Sequence, residues 1–178
     1  MLKFWSPSRK EQHINTVRIG FVFAVVCALT FVTTTVFAQD TSARDKDRAE
    51  IEELMWRYTR ALDTGDGTTY AATYTVDGQF GTGANATKGR EALKKLGDGL
   101  KPQPNAPPRA PLYHMETNQW IEFIDQDHAN HHAYYITVTG AGPDKAPPRI
   151  VAAGRSVDHL VRVNGKWLIQ LRDVSPKE

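Results

Sequence analysis

LYHMETNQWIEFI, Leu112 to Ile124, places one histidine among carboxylates, an amide and aromatics in a run that reads as a central strand. Strict alternation sends His114, Glu116, Asn118 and Trp120 to one face, and Tyr113, Met115, Thr117, Gln119, Ile121 and Phe123 to the other. Neither face is cleanly apolar. This mixture suits a strand that lines a polar cavity on one side and packs on the other, and an edge strand with a solvated face shares the pattern.

Three further strand-like runs follow it, Ala129 to Thr139, Ile150 to Val163 and Lys166 to Val174. They are separated by DQD, by the loop GAGPDKAPPR and by Asn164-Gly165, a strong two-residue hairpin signal. Upstream, helical spacing dominates. Ile51, Leu54, Met55, Tyr58, Ala61 and Leu62 recur every three or four residues from Asp45 onward, and Gly65 and Gly67 end the run. Asp66 or Thr68 caps a second, shorter helix through Tyr70 and Ala72 to Thr75, and VDGQF turns into a short strand at Gln79 to Gly81. A third helix over about Gly89 to Leu96 turns Ala92, Leu93 and Leu96 inward, and the proline-rich KPQPNAPPRAP then forms a stiff loop. Helices first and strands after predict an α+β fold, three helices packed on a strongly curved antiparallel sheet.

The leading segment stands apart. Lys3, Arg9, Lys10 and Arg18 precede the apolar run Phe21 to Val32, and VFA closes it at Ala38. That layout is a secretory signal peptide over 1–38, with an uncleaved anchor as the alternative if Thr33 to Phe37 extend the run toward the ~20 residues of a membrane span. The expected plan is leader 1–38, linker 39–44, one domain over 45–174 and a tail over 175–178. A chain of 178 residues less such a leader leaves 140, enough for one core and too short for two domains. Four of the 22 basic residues and one of the 20 acidic ones lie in the leader, leaving 18 against 19. A near-neutral domain gives no basis for nucleic-acid binding. The one cysteine, Cys27, is also in the leader, so neither disulfides nor thiol chemistry serve the exported part.

With RYTRALDTGD (57–66), TVDGQF (75–80), KGREAL (88–93), the His and Asn of HMETN (114–118) and GRSVDHLVRVNGKWLIQLRDV (154–174) in this order, the chain resembles the SnoaL-like branch of the nuclear transport factor 2-like superfamily. The resemblance covers about Asp45 to Val174 and implies a cone-shaped α+β barrel around a pocket. Within the branch it is nearest the scytalone dehydratase type, whose aspartate and histidine dyad falls on Asp63 and His114. A carboxylate accepting from one imidazole nitrogen fixes the tautomer and leaves the other as a base. The two tyrosines of that type fall on Leu62 and Phe80, its second histidine near Thr139, and its serine and asparagine on Gly154 and Ser156. The half of the site that would hold a carbonyl is thus missing, and Tyr58, Tyr134, Ser156 and Arg172 are the candidates to replace it, with Asn118 and Trp120 as further binding residues.

Two functions follow from the resemblance. One is an exported, cofactor-independent lyase or isomerase for a small cyclic or polyketide-like carbonyl compound, with His114 as base and Asp63 orienting it. The other is a non-catalytic ligand-binding or dimerisation module of the same fold, in which His114 is a wall residue and Asp63 a helix cap. The implied partners are a small molecule and a second copy across the sheet face, with no nucleic acid and no stable membrane contact after leader removal. HANHH is no metal site on this reading, since His131 and His132 point to opposite faces of a strand.

Overall fold

A computed structural model describes residues 42–102, 109–142 and 145–177. The expected leader, and the middle of each proline loop, lie outside the described residues. The chain divides into two compact units, Met1–Asp47 and Arg48–Glu178. Of the first only 42–47 are described, a helical stretch in which Arg44 and Asp47 pair at 3.5 Å. Everything below concerns the second.

In this second unit helix α1 ends at residue 64 and buries all six residues of the predicted stripe, from Ile51 to Leu62. Gly65, at φ +65, stops it in a conformation that side chains with a Cβ resist. Helix α2 is Gly67–Ala72, capped by Asp66, whose carboxylate accepts from the Thr69 N–H at 3.0 Å. It stops three residues before the predicted end, because Thr73 Oγ1 bonds back to the Tyr70 carbonyl and a β-branched run follows. Strand β1 therefore takes Tyr74–Phe80 rather than only its last residues. Strand β2 is Thr87–Lys88, and helix α3 is Arg90–Asp98. In α3 Leu93 and Gly97 are buried, while Ala92 lies exposed.

Strands β3 (Leu112–Phe123), β4 (His128–Thr139), β5 (Arg149–Val163) and β6 (Lys166–Asp173) form the predicted antiparallel meander. The six-stranded sheet has the order β2-β1-β6-β5-β4-β3 and stays open. It is not wholly antiparallel as expected: β1 pairs parallel to β6, so the first strand of the domain lies beside the last. Register shifts on four strand pairs give the bulges that bend such a sheet around its contents.

The core lies between α1 and the concave face, where Tyr58, Tyr70 and Tyr74 pack with ring centroids 5.3 to 6.2 Å apart. Trp167 is buried under the Arg162 guanidinium, 4.5 Å from its ring centroid. Among the described residues no helix is long and apolar enough to cross a membrane.

Candidate active site

Pairing across β3, β4 and β5 sets which side chains share the concave face. His114 lies opposite Thr137, and Thr137 opposite Ala152; Glu116 lies opposite Tyr135, and Tyr135 opposite Gly154. These rows, with Tyr58 and Leu62 of α1, Tyr70, Phe80, Leu96 and Arg172, enclose a cavity of about 310 Å³. That volume lies at the lower end of small-molecule sites. Gly154 is needed for its shape, since a Cβ there would stand 2.6 Å from the Tyr135 hydroxyl.

At the cavity wall the last turn of α1 meets β3. His114 Nδ1 lies 2.8 Å from Asp63 Oδ1, and the same oxygen accepts the His114 backbone N–H at 2.9 Å. Two donors from one residue lock the carboxylate against ring and backbone together. Both side chains are mostly buried, at 22% and 15% exposure. With Nδ1 so engaged, the ring holds its proton there and leaves Nε2 as the basic nitrogen.

A second polar cluster forms the inner wall. Arg172 of β6 donates from Nη1 to Asp158 Oδ2 at 2.7 Å and from Nη2 to Glu116 Oε1, and its guanidinium lies 4.4 Å above the Tyr58 ring. Behind it, His131 Nδ1 meets Asp158 Oδ2 at 2.9 Å and its Nε2 meets Gln119 Oε1 at 3.1 Å. All three charged side chains are at most 5% exposed. Burial pushes the Glu116 carboxyl up despite Arg172, and the Asp158 charge adds to the rise. Burial opposes the Arg172 charge, but Asp158 above all holds it well above its usual range. Tyr58 is likewise driven well up by burial, and Tyr70 up to about 12, so both remain phenols.

Glu116, His131 and Asp158 converge closely enough to suggest a cation site, with ligand atoms within 4.8 Å of one another. The guanidinium bonded to both carboxylates already supplies the positive charge, and a metal ion would have to displace it. His131 and His132 do face opposite ways: the first is fully buried, the second stacks on Trp120 at 4.9 Å.

Of the residues singled out in the sequence, His114, Asp63, Tyr58 and Arg172 come together around this space. Ser156 is buried on the same face, opposite Ala133, but does not line the cavity. Asn118, Trp120 and Tyr134 do not line it either. Alternation breaks at Asn118, which takes φ +52 within the register shift between Thr117 and Trp120. That extra residue turns Gln119 toward His131 and throws Trp120 onto the outer face, 57% exposed. Tyr134 fails on parity: it pairs with Thr117 and is 50% exposed, while its neighbour Tyr135 takes the inward position. Sequence reading passed over Glu116, Asp158 and Tyr135. The signal for Glu116 was present, since it is two residues from His114.

Solved structures of similar fold agree with this architecture. Rv3472 of Mycobacterium tuberculosis superposes with a TM-score of 0.64 at 23% identity, over 78% of this chain and 76% of that one. A protein of Novosphingobium aromaticivorans, provisionally assigned as a scytalone dehydratase, gives 0.62 at 24%, over 75% and 85%. A Catenulispora acidiphila protein in complex with S-DNPA gives 0.58 at 26%, over 72% and 91%. No curated protein matches the sequence. The profile of the SnoaL-like domain matches residues 43–173, and by that coverage the chain belongs to the SnoaL-like domain family.

Proposed function

We propose that this protein is an exported, cofactor-independent lyase or isomerase that acts on a small cyclic or polyketide-like carbonyl compound. His114 removes a proton from the carbon beside the carbonyl, and Asp63 positions the ring and stabilises the imidazolium that forms. The observation that carries this reading is the 2.8 Å contact between His114 Nδ1 and Asp63 Oδ1 at the wall of a largely apolar cavity. A carboxylate on Nδ1, with Nε2 left at the cavity without a partner among the described residues, is the arrangement a base requires. Apolar walls from Leu62, Phe80 and Leu96 suit a flat ring.

Thermal-shift screening of bicyclic aromatic ketones against the wild type and His114→Ala tests it. Larger shifts for the wild type are expected, and equal shifts for both proteins would remove His114 from the site.

The outer face of β3 and β4 favours self-association as part of the same proposal. Tyr113, Met115, Trp120 and Tyr134 share that face and are each more than 40% exposed. An apolar sheet surface of this kind is ordinarily covered. A second copy is its natural occupant, and sedimentation of the leaderless chain at twice its mass is expected, with a monomer counting against it.

A further inference from the structure

Enolising a ketone needs two groups: a base at the carbon and an acid at the oxygen, where the negative charge develops. The base is assigned above; the acid is not. The cavity's polar side chains narrow the choice. Thr59 Oγ1 donates to the Met55 carbonyl, the Tyr70 and Tyr74 hydroxyls bond each other at 3.1 Å, and the Tyr135 hydroxyl donates to the Val174 carbonyl. Arg172 spends Nη1 and Nη2 on carboxylates, and its Nε is buried with no partner among the described residues, but a guanidinium held this far above its usual range gives up no proton. Glu116 can give one. One of its oxygens is held by Arg172, while Oε2 is buried and has no partner among the described residues. Its side chain is 5% exposed and lines the cavity two residues along β3 from His114, on the same face.

We propose that Glu116 is the acid of this site, presenting a carboxylic proton to the substrate's carbonyl oxygen while His114 Nε2 takes the proton from the adjacent carbon. This rests on the reading of His114 given above. The geometry of the inner wall favours a protonated Glu116: Nη1 of Arg172 and the His131 ring both meet Asp158, whereas Glu116 is held through Nη2 of Arg172 alone in a buried position that disfavours the charged form. Asp158 is fully buried and bonded by both Arg172 and His131, away from the cavity; Glu116 lies on the cavity side and takes the proton. The groups facing it are Arg172 on β6, Asp158 on β5, His131 on β4 and Tyr58 on α1, and burial sets the upward direction of its pKa.

The steps balance without a cofactor. The C–H bond breaks as its proton passes to Nε2, the electron pair forms the C=C bond of an enol, and the carbonyl oxygen takes the Glu116 proton. In an isomerisation of a β,γ-unsaturated ketone the dienol takes the imidazolium's proton at its γ-carbon and the double bond moves into conjugation; in a dehydration the imidazolium protonates a β-hydroxyl, which leaves as water. Collapse of the enol returns the oxygen's proton to Glu116 in either case. The substrate class is therefore a ketone with an acidic α-hydrogen and either a β,γ-double bond or a β-hydroxyl.

Exchange of the α-hydrogens of 2-tetralone in deuterated buffer, followed by proton NMR, tests this without the natural substrate. The wild type accelerates exchange over buffer, His114→Ala abolishes the acceleration, and Glu116→Gln lowers it about 10²-fold. The wild-type rate declines on the alkaline side as Glu116 loses its proton, and Glu116→Gln lacks that decline. Asp158→Asn, which leaves Glu116 in place, moves the decline to lower pH by removing a neighbouring charge. Full acceleration in Glu116→Gln with loss in His114→Ala overturns the acid and leaves the base standing. The converse pattern overturns the base, a decline unmoved by either Glu116→Gln or Asp158→Asn overturns the acid, and no acceleration by the wild type overturns both.

Discussion

At the scale of single residues, Arg172 does more than any other side chain to hold the site. It ties the last strand to β3 through Glu116 and to β5 through Asp158, with Tyr58 of α1 against its face. Such a pair adds little net stability, but losing one partner strands the other charge in the interior. Arg172→Ala is accordingly expected to destabilise the fold by about 3–5 kcal/mol, measured by urea unfolding, because the buried Asp158 loses its counter-charge and Glu116 its hydrogen-bond donor. An effect below about 1 kcal/mol would show that the cluster is hydrated rather than dry. Sequence alone points to His114 and Asp63 through the family resemblance, and to Tyr58 and Arg172 only as substitutes for missing family residues, on the same footing as Tyr134 and Ser156. It could not point to Asp158, which stands in a run of alternating polar and apolar residues with nothing to distinguish an inward aspartate from a solvated one.

At the scale of elements, errors in reading came from single residues that shift a period. The α1 stripe was legible throughout, since six buried positions at helical spacing leave no other helix face for the core. The face of Trp120 was not, because an unremarkable Asn118 takes the left-handed conformation that inserts the bulge. Nor was the parallel pairing of β1 with β6, a contact between segments some ninety residues apart that no local pattern encodes. The packing of α2 on α3 belongs here as well. A Cβ at Gly97 would lie 2.7 Å from Gly67 Cα, so the two helices approach through paired glycines. Gly97→Ala should cost about 1–3 kcal/mol in urea unfolding despite better helix propensity, since the helices must separate. A stabilised Gly97→Ala protein would mean that this helix pair gives way freely.

At the scale of the whole domain, one open sheet serves two surfaces. Its concave face, closed by the helices, carries the cavity with His114 and Glu116; its convex face carries Tyr113, Met115, Trp120 and Tyr134. The division follows from pleating: every inward residue on β3 and β4 has an outward neighbour, so a strand that builds a site also builds a surface. Proton abstraction in this cavity requires one state of the His114 ring, and nitrogen-15 NMR reads it directly. Asp63 should keep the proton on Nδ1 and leave Nε2 bare, with the Nε2 signal moving when 2-tetralone is added. A proton resting on Nε2, or an Nε2 signal indifferent to the ketone, would contradict the account.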